Sequence, residues 1–349
     1  MQKSYLIGAN TIVPDYFCIT PKNGATEVSW VATGSGDDIP LNLEYSYNKL
    51  SWNQYTRGTI ITTSNPIYFR GVNPRFGYTN RIQNKLVLNN LCDLSGRLSS
   101  IVTKYPKLSA KCTFINKVFS GNTYIRSIKD LELDLTLTTF AVDDYSYMFN
   151  GCTSLIDTPK FISNISTVNE SCRNMFENCT SLTTVYELPS VLGYGCYAWM
   201  FKNCTALTTI SHNLLPATTL ANYCYEGMFS GCTSLTTAVI LPATTLTTGC
   251  YRFMFQYCSS LLELPALYAT ILPDYCYDYM FTQKTSSFYF KIYNDVNSVD
   301  YKLPYSGTIT QSYANSIHIF GYDGYNIDLD INTQYRICRS DNILITVIE

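Results

Sequence analysis

Fourteen cysteines and only two histidines bound the chemistry that this 349-residue chain could carry. Thiols can bridge, hold a metal or act as nucleophiles, and each use demands its own spacing. Six of these cysteines form pairs eight positions apart, Cys196 with Cys204, Cys224 with Cys232 and Cys250 with Cys258. If the intervening segments are helical, such pairs lie about 12 Å apart along the axis, whereas a disulfide needs Cα atoms about 4.4–6.8 Å apart. Equivalent cysteines on successive helices would lie about 10 Å apart, again too far. Structural zinc sites want two cysteines within about two to four residues of each other. The expectation is buried, free thiols that act as small hydrophobes, which suits assembly in a reducing cytoplasm. Cys18, Cys92, Cys112 and Cys338 fall outside the regular columns and are less constrained by spacing.

The other chemistry-bearing residues are scattered. His212 sits where a strand should meet a loop, and His318 alternates with Ile317 and Ile319, so neither has the neighbours of a Ser-His-Asp or Cys-His site. Gly34-Ser35-Gly36 is too short for a phosphate loop and reads as a hairpin turn. Asp37-Asp38 and Asp143-Asp144 read as turns or helix caps rather than a glycosidase pair. Asp323, Asp328 and Asp330 could gather around calcium, but alternating strand positions favour solvent. We therefore expect no catalytic residue, no metal and no cofactor. The feature most suggestive of binding is aromatic: Tyr147, Trp199, Phe253 and Tyr279 each stand just before a methionine and could form a ladder for a sugar or protein partner. The competing reading is packing between successive units.

A repeat must position all of these. Met-Phe occurs at Met148, Met175, Met200, Met228, Met254 and Met280, at spacings of 27, 25, 28, 26 and 26 residues. On a helical wheel Cys196, Met200, Cys204, Tyr197 and Phe201 share one face. The positions two before and two after each Met, such as Arg173, Glu226, Arg252 and Asp278, or Glu177, Lys202 and Gln256, are polar almost throughout. After the second cysteine comes Thr-Ser-Leu-Thr-Thr or a variant, then Leu-Pro, as at Leu215-Pro216 and Leu241-Pro242. Each unit therefore predicts a helix, a turn and a short strand.

The strings Met-Phe-Ser-Gly-Cys-Thr-Ser-Leu-Thr-Thr (228–237) and Leu-Pro-Ala-Thr-Thr-Leu (215–220 and 241–246) resemble the BspA-type leucine-rich repeats of bacterial surface proteins and of phages that infect such bacteria. The resemblance is clearest over about 140–290 and extends more weakly to Cys112–Asn122. Departures occur where Asp144 and Ser171 replace the first cysteine, and where Lys284 and Ser287 give the last unit the polar character of a cap. The implied fold class is an α/β solenoid, a leucine-rich-repeat array with short parallel strands and helices over residues 86–290. Residues 1–85 read as an antiparallel β-sandwich-like domain, and residues 291–349 as a β-rich C-terminal cap.

Composition narrows function. Apolar residues make up 46%, charged residues only 14%, tyrosine reaches 30 copies and the net charge is −2. No cationic field is present for nucleic acid, and no segment has the 18 or more apolar residues of a membrane span. The start lacks the apolar stretch of a secretory signal. The expectation is a non-enzymatic recognition or structural protein, taken with the resemblance to be a phage virion component that binds a receptor or decorates the particle. Alternatives are a bacterial cell-surface or extracellular adhesin that binds host protein or glycan, and an accessory module of a carbohydrate-active enzyme. Expected partners are a protein or glycan receptor or other virion proteins, with oligomerisation through either terminal domain.

Overall fold

The computed structural model describes residues 15–33, 41–79, 82–104, 115–133, 145–159, 161, 169–261, 265, 269 and 273–281, together with eight short strands outside those ranges. Asp37-Asp38, Asp143-Asp144, Cys112, Asp323, Lys284 and Ser287 lie outside the described residues, and so do the side chains of His318, Asp328, Asp330 and Cys338.

Strands dominate the first 136 residues. They are β1 (Tyr5–Leu6), β2 (Ile12–Val13), β3 (Phe17–Pro21), β4 (Thr26–Thr33), β5 (Leu43–Ser46), β6 (Asn53–Tyr55), β7 (Ile61–Thr63), β8 (Ile67–Gly71), β9 (Gly77–Thr79), β10 (Ile82–Leu88) and β11 (Cys92–Arg97). A single-turn helix α1 (Ser100–Thr103) follows, then β12 (Ala110–Lys111), β13 (Ile125–Glu132) and β14 (Leu135–Thr136). One sheet runs β7-β4-β10-β9 and a second runs β13-β11-β3-β8-β5-β6. All of their pairings are antiparallel except that of β11 with β13. Alternation drives the burial, as in β8, where Ile67 and Phe69 are buried and Tyr68 and Arg70 are only partly so. Trp30 sits at the centre, its ring against Phe17, Phe69 and Phe76. Near the C-terminus β15 (Phe290–Asn294) pairs with β18 (Tyr335–Arg339), and β16 (Ser316–Tyr322) with β17 (Tyr325–Asp330).

The expected α/β solenoid of helices and parallel strands is not what forms. Sheet and turn make up the described chain, and its one helix is the four-residue α1. Around each Met-Phe pair the chain winds as consecutive turns with a period of four. In the unit at 195–204 the amides of Tyr197, Trp199, Phe201 and Asn203 donate to carbonyls of Cys224, Glu226, Met228 and Ser230 in the next unit, at 2.7–3.0 Å. The alternate amides of Ala198, Met200, Lys202 and Cys204 donate three residues back within their own unit. An α-helix would keep every one of these bonds inside itself, to the residue four back. Every fourth residue also lies in the left-handed region: Gly195 (φ 55°), Trp199 (φ 58°) and Asn203 (φ 59°) here, and Gly227 and Gly231 in the following unit. No α-helix admits that conformation. The strands expected after the second cysteine reduce to isolated parallel bridges, Asp157 with Thr184 and Thr219 with Thr245.

Because units are hydrogen-bonded to one another, they sit at a strand-like spacing of about 4.8 Å rather than the 10 Å of packed helices. The separation of about 10 Å expected of helices therefore does not hold, and distance alone would permit bridging between units. The described cysteines are nevertheless free and buried. All six Met-Phe pairs point inward, each methionine fully buried. The phenylalanines form one stacked column, Phe17–Phe119–Phe149–Phe176–Phe201–Phe229–Phe255–Phe281, with centroids 5.1–5.8 Å apart. The column starts in β3, so the sandwich and the stacked units share one hydrophobic core. Tyr197, Tyr225, Tyr251 and Tyr277 make a second column at 5.9–6.0 Å. The thiols tie successive units together: Cys152, Cys179, Cys204, Cys232 and Cys258 each donate to the phenylalanine carbonyl of the preceding unit, at 3.1–3.3 Å.

Candidate functional site

The four-residue winding gives each unit one inward corner, occupied by Cys and Met, and one outward corner in the left-handed region. Tyr147, Trp199, Phe253 and Tyr279 all stand at such an outward corner, at φ 55°, 58°, 55° and 52°, and all are half-buried. Lys117, Asn174 and Gly227 complete the same column. Left-handed backbone is costly for large side chains, and the column offsets that cost by ring contact. Phe253 stacks on Tyr279 at 5.5 Å, and Trp199 reaches Phe253 at 5.8 Å across the intervening unit. It can do so because that unit carries Gly227, where a Cβ would stand 2.2 Å from the indole. The stack thus brings Trp199, Phe253 and Tyr279 together. Tyr147 stands apart, under the amine of Lys117 at 5.1 Å.

Where ring faces cover one another, a partner meets their edges and the charges set beside them. Lys202 lies over Trp199 at 5.3 Å, and the Arg252 guanidinium lies over both Phe253 (4.4 Å) and Tyr275 (5.1 Å). Arg252 also stands between Glu226 (3.8 Å) and Asp278 (3.4 Å), carboxylates of the units before and after it. A second ladder joins Asn150 and Lys202 to the Glu177 carboxylate, each at 3.0 Å. Burial raises the Glu226 carboxyl above its usual range, against the opposing pull of Arg252 and Arg173. Burial likewise raises the Tyr223 phenol. The cations and these charge ladders were not singled out from sequence. Their signal was present as opposite charges at one repeat position in successive units, Glu226, Arg252 and Asp278.

Other candidates are placed apart. His212 is exposed, and its carbonyl accepts from the Ile240 amide. Among the described residues no group of three His, Cys, Asp or Glu side chains could hold a metal ion. Burial pushes the Cys152 and Cys232 thiols up to about 12, and the remaining thiols of that column well above their usual range. Among the described residues no helix is long and apolar enough to cross a membrane. Comparison with protein-family models, with curated proteins and with solved structures returned no match.

Proposed function

We propose that this chain is a non-enzymatic recognition or structural protein that presents its stacked units as a periodic contact surface, and that it serves as a phage virion component. One observation carries the reading: the same outward position recurs at each hydrogen-bonded step, so side chains of successive units stand in rows, as where Phe253 meets Tyr279 at 5.5 Å and Arg252 lies between Glu226 and Asp278. A surface periodic in this way suits an extended partner, a polymeric receptor or a neighbouring particle protein, better than a compact small molecule. The virion setting draws on the resemblance of the repeat strings and on the free, buried thiols, which suit assembly in a reducing cytoplasm better than secretion.

Mass spectrometry of phage particles purified from cells that express the chain tests the setting. The expected result is the chain at a fixed ratio to the other particle proteins. Its presence in the lysate and absence from the particles would refute the virion reading. The recognition reading is tested by replacing Trp199, Phe253 and Tyr279 singly with leucine and measuring adsorption of the particles to their host, where an unchanged rate for all three counts against that face.

A further inference from the structure

A cleft of about 240 Å³ opens on the outer face of the β4–β10 pair, where the sandwich meets the first stacked turn. Its floor comes from strand alternation. Lys85 pairs across from Val31, and Val87 from Ser29, while the intervening Leu86 and Leu88 point into the core. Its wall is the turn Ser120–Tyr124. That turn is pinned to β10 by the Leu86 amide on the Val118 carbonyl (3.1 Å) and the Asn122 side-chain amide on the Leu86 carbonyl (3.4 Å). Val87 and Tyr124 stand 43% and 40% exposed at the cleft and set apolar surface beside a charge.

Lys85 is the one charged residue lining this cleft. It is half-buried and has no ion-pair or hydrogen-bond partner among the described residues. The groups that act on it are the Cys152 thiol and the Lys117 amine, and neither neutralises it. Burial lowers its affinity for a proton, as expected of an ammonium without a counter-ion.

We infer that this cleft binds a small organic monocarboxylate, its anionic end on the Lys85 ammonium and its apolar body against Val31 and Val87. The volume lies below the roughly 300–1,000 Å³ of sites for drug-sized molecules, so the ligand is smaller than those. One lining cation matches one negative charge, whereas a phosphate dianion calls for further donors of positive charge, and the nearby Lys117 is engaged over the Tyr147 ring. Ser120 and Thr123 also line the wall, which adds hydroxyl-bearing residues to the cleft.

The test is an NMR titration of the full chain with benzoate, with benzyl alcohol as its neutral counterpart and with inorganic phosphate. Benzoate is expected to give saturable shifts at Val87, Gly121 and Asn122, and the other two none at equal concentration. Lys85→Met should weaken benzoate about ten-fold or more while the melting temperature stays unchanged. Val87→Glu, which sets a carboxylate two residues along the same strand face, should abolish binding by occupying the amine. Absence of saturable shifts, equal binding of benzyl alcohol, or undiminished affinity in Lys85→Met would each overturn the proposal.

Discussion

Replacing Gly227 with alanine tests the stacked geometry at a tight outward contact. Two costs add at that position. The backbone sits at φ 58°, where an L-residue loses about 1–2 kcal/mol relative to glycine. The new Cβ would also stand 2.2–2.5 Å from three atoms of the Trp199 ring, and overpacking of that kind costs about 1–3 kcal/mol once the ring has shifted. Gly227→Ala should therefore destabilise by about 2–5 kcal/mol. Trp199→Ala removes the obstructing ring, so in that background only the backbone term of about 1–2 kcal/mol should remain. The cycle is read by equilibrium urea unfolding followed by far-ultraviolet circular dichroism, comparing midpoints at a common slope. The expected coupling is about 1–3 kcal/mol, with the second substitution relieving the first. Additivity to within about 0.5 kcal/mol would show that the indole does not lie over Gly227 and would refute the interleaving of these units. Gly249→Ala, whose Cβ would meet the Tyr223 ring at 2.3 Å, should repeat the pattern with Tyr223→Ala.

Three further outcomes follow from the same geometry. Glu170 is half-buried at φ 53°, so Glu170→Gly should be more stable than Glu170→Ala by about 1–2 kcal/mol, whereas a helix would reverse the order by about 1 kcal/mol; urea midpoints of the two variants decide. With the column thiols buried and their pKa values raised, to about 12 for Cys232, iodoacetamide at neutral pH should modify none of Cys152, Cys179, Cys204, Cys232 and Cys258 before denaturant is added; rapid labelling of any of them in the folded chain, read by peptide mass spectrometry, would contradict the buried column. Folding raises the Glu226 pKa above its ordinary 4.5, so the folded chain holds that proton more tightly, and the group favours folding fully below 4.5 and loses that contribution as pH climbs through the raised value. The melting temperature of wild type minus that of Glu226→Gln should accordingly fall between pH 4 and pH 7, and a rise would mean that attraction to Arg252 outweighs burial.

The repeat and its buried columns were legible because they depend on residue type at fixed intervals. Cys196, Tyr197, Met200, Phe201 and Cys204 are buried together, as the spacing required. Backbone conformation was not legible from the same residues. A helix turning 100° per residue and a coil turning 90° differ by only 80° over the eight steps from Cys196 to Cys204, so both gather these side chains on one side. What separates them is a second periodicity that an apolar count ignores. Gly or Asn fills many of the left-handed positions that come four residues apart, at Gly195 and Asn203, at Asn174 and Asn178, and at Gly227 and Gly231, the residue types that enter that region most readily. The rings Tyr147, Trp199, Phe253 and Tyr279 depart from that rule, and so do Lys117, Glu170, Tyr223, Tyr257 and Tyr275. Their conformation follows from the coil and their contacts follow from the stack, because an outward left-handed corner sets the side chain along the stacking direction, where only the next unit or a partner can meet it. Charge obeys the same geometry: Arg252 finds Glu226 and Asp278 because equivalent positions in adjacent units are about 4.8 Å apart, a distance that the helical reading had doubled.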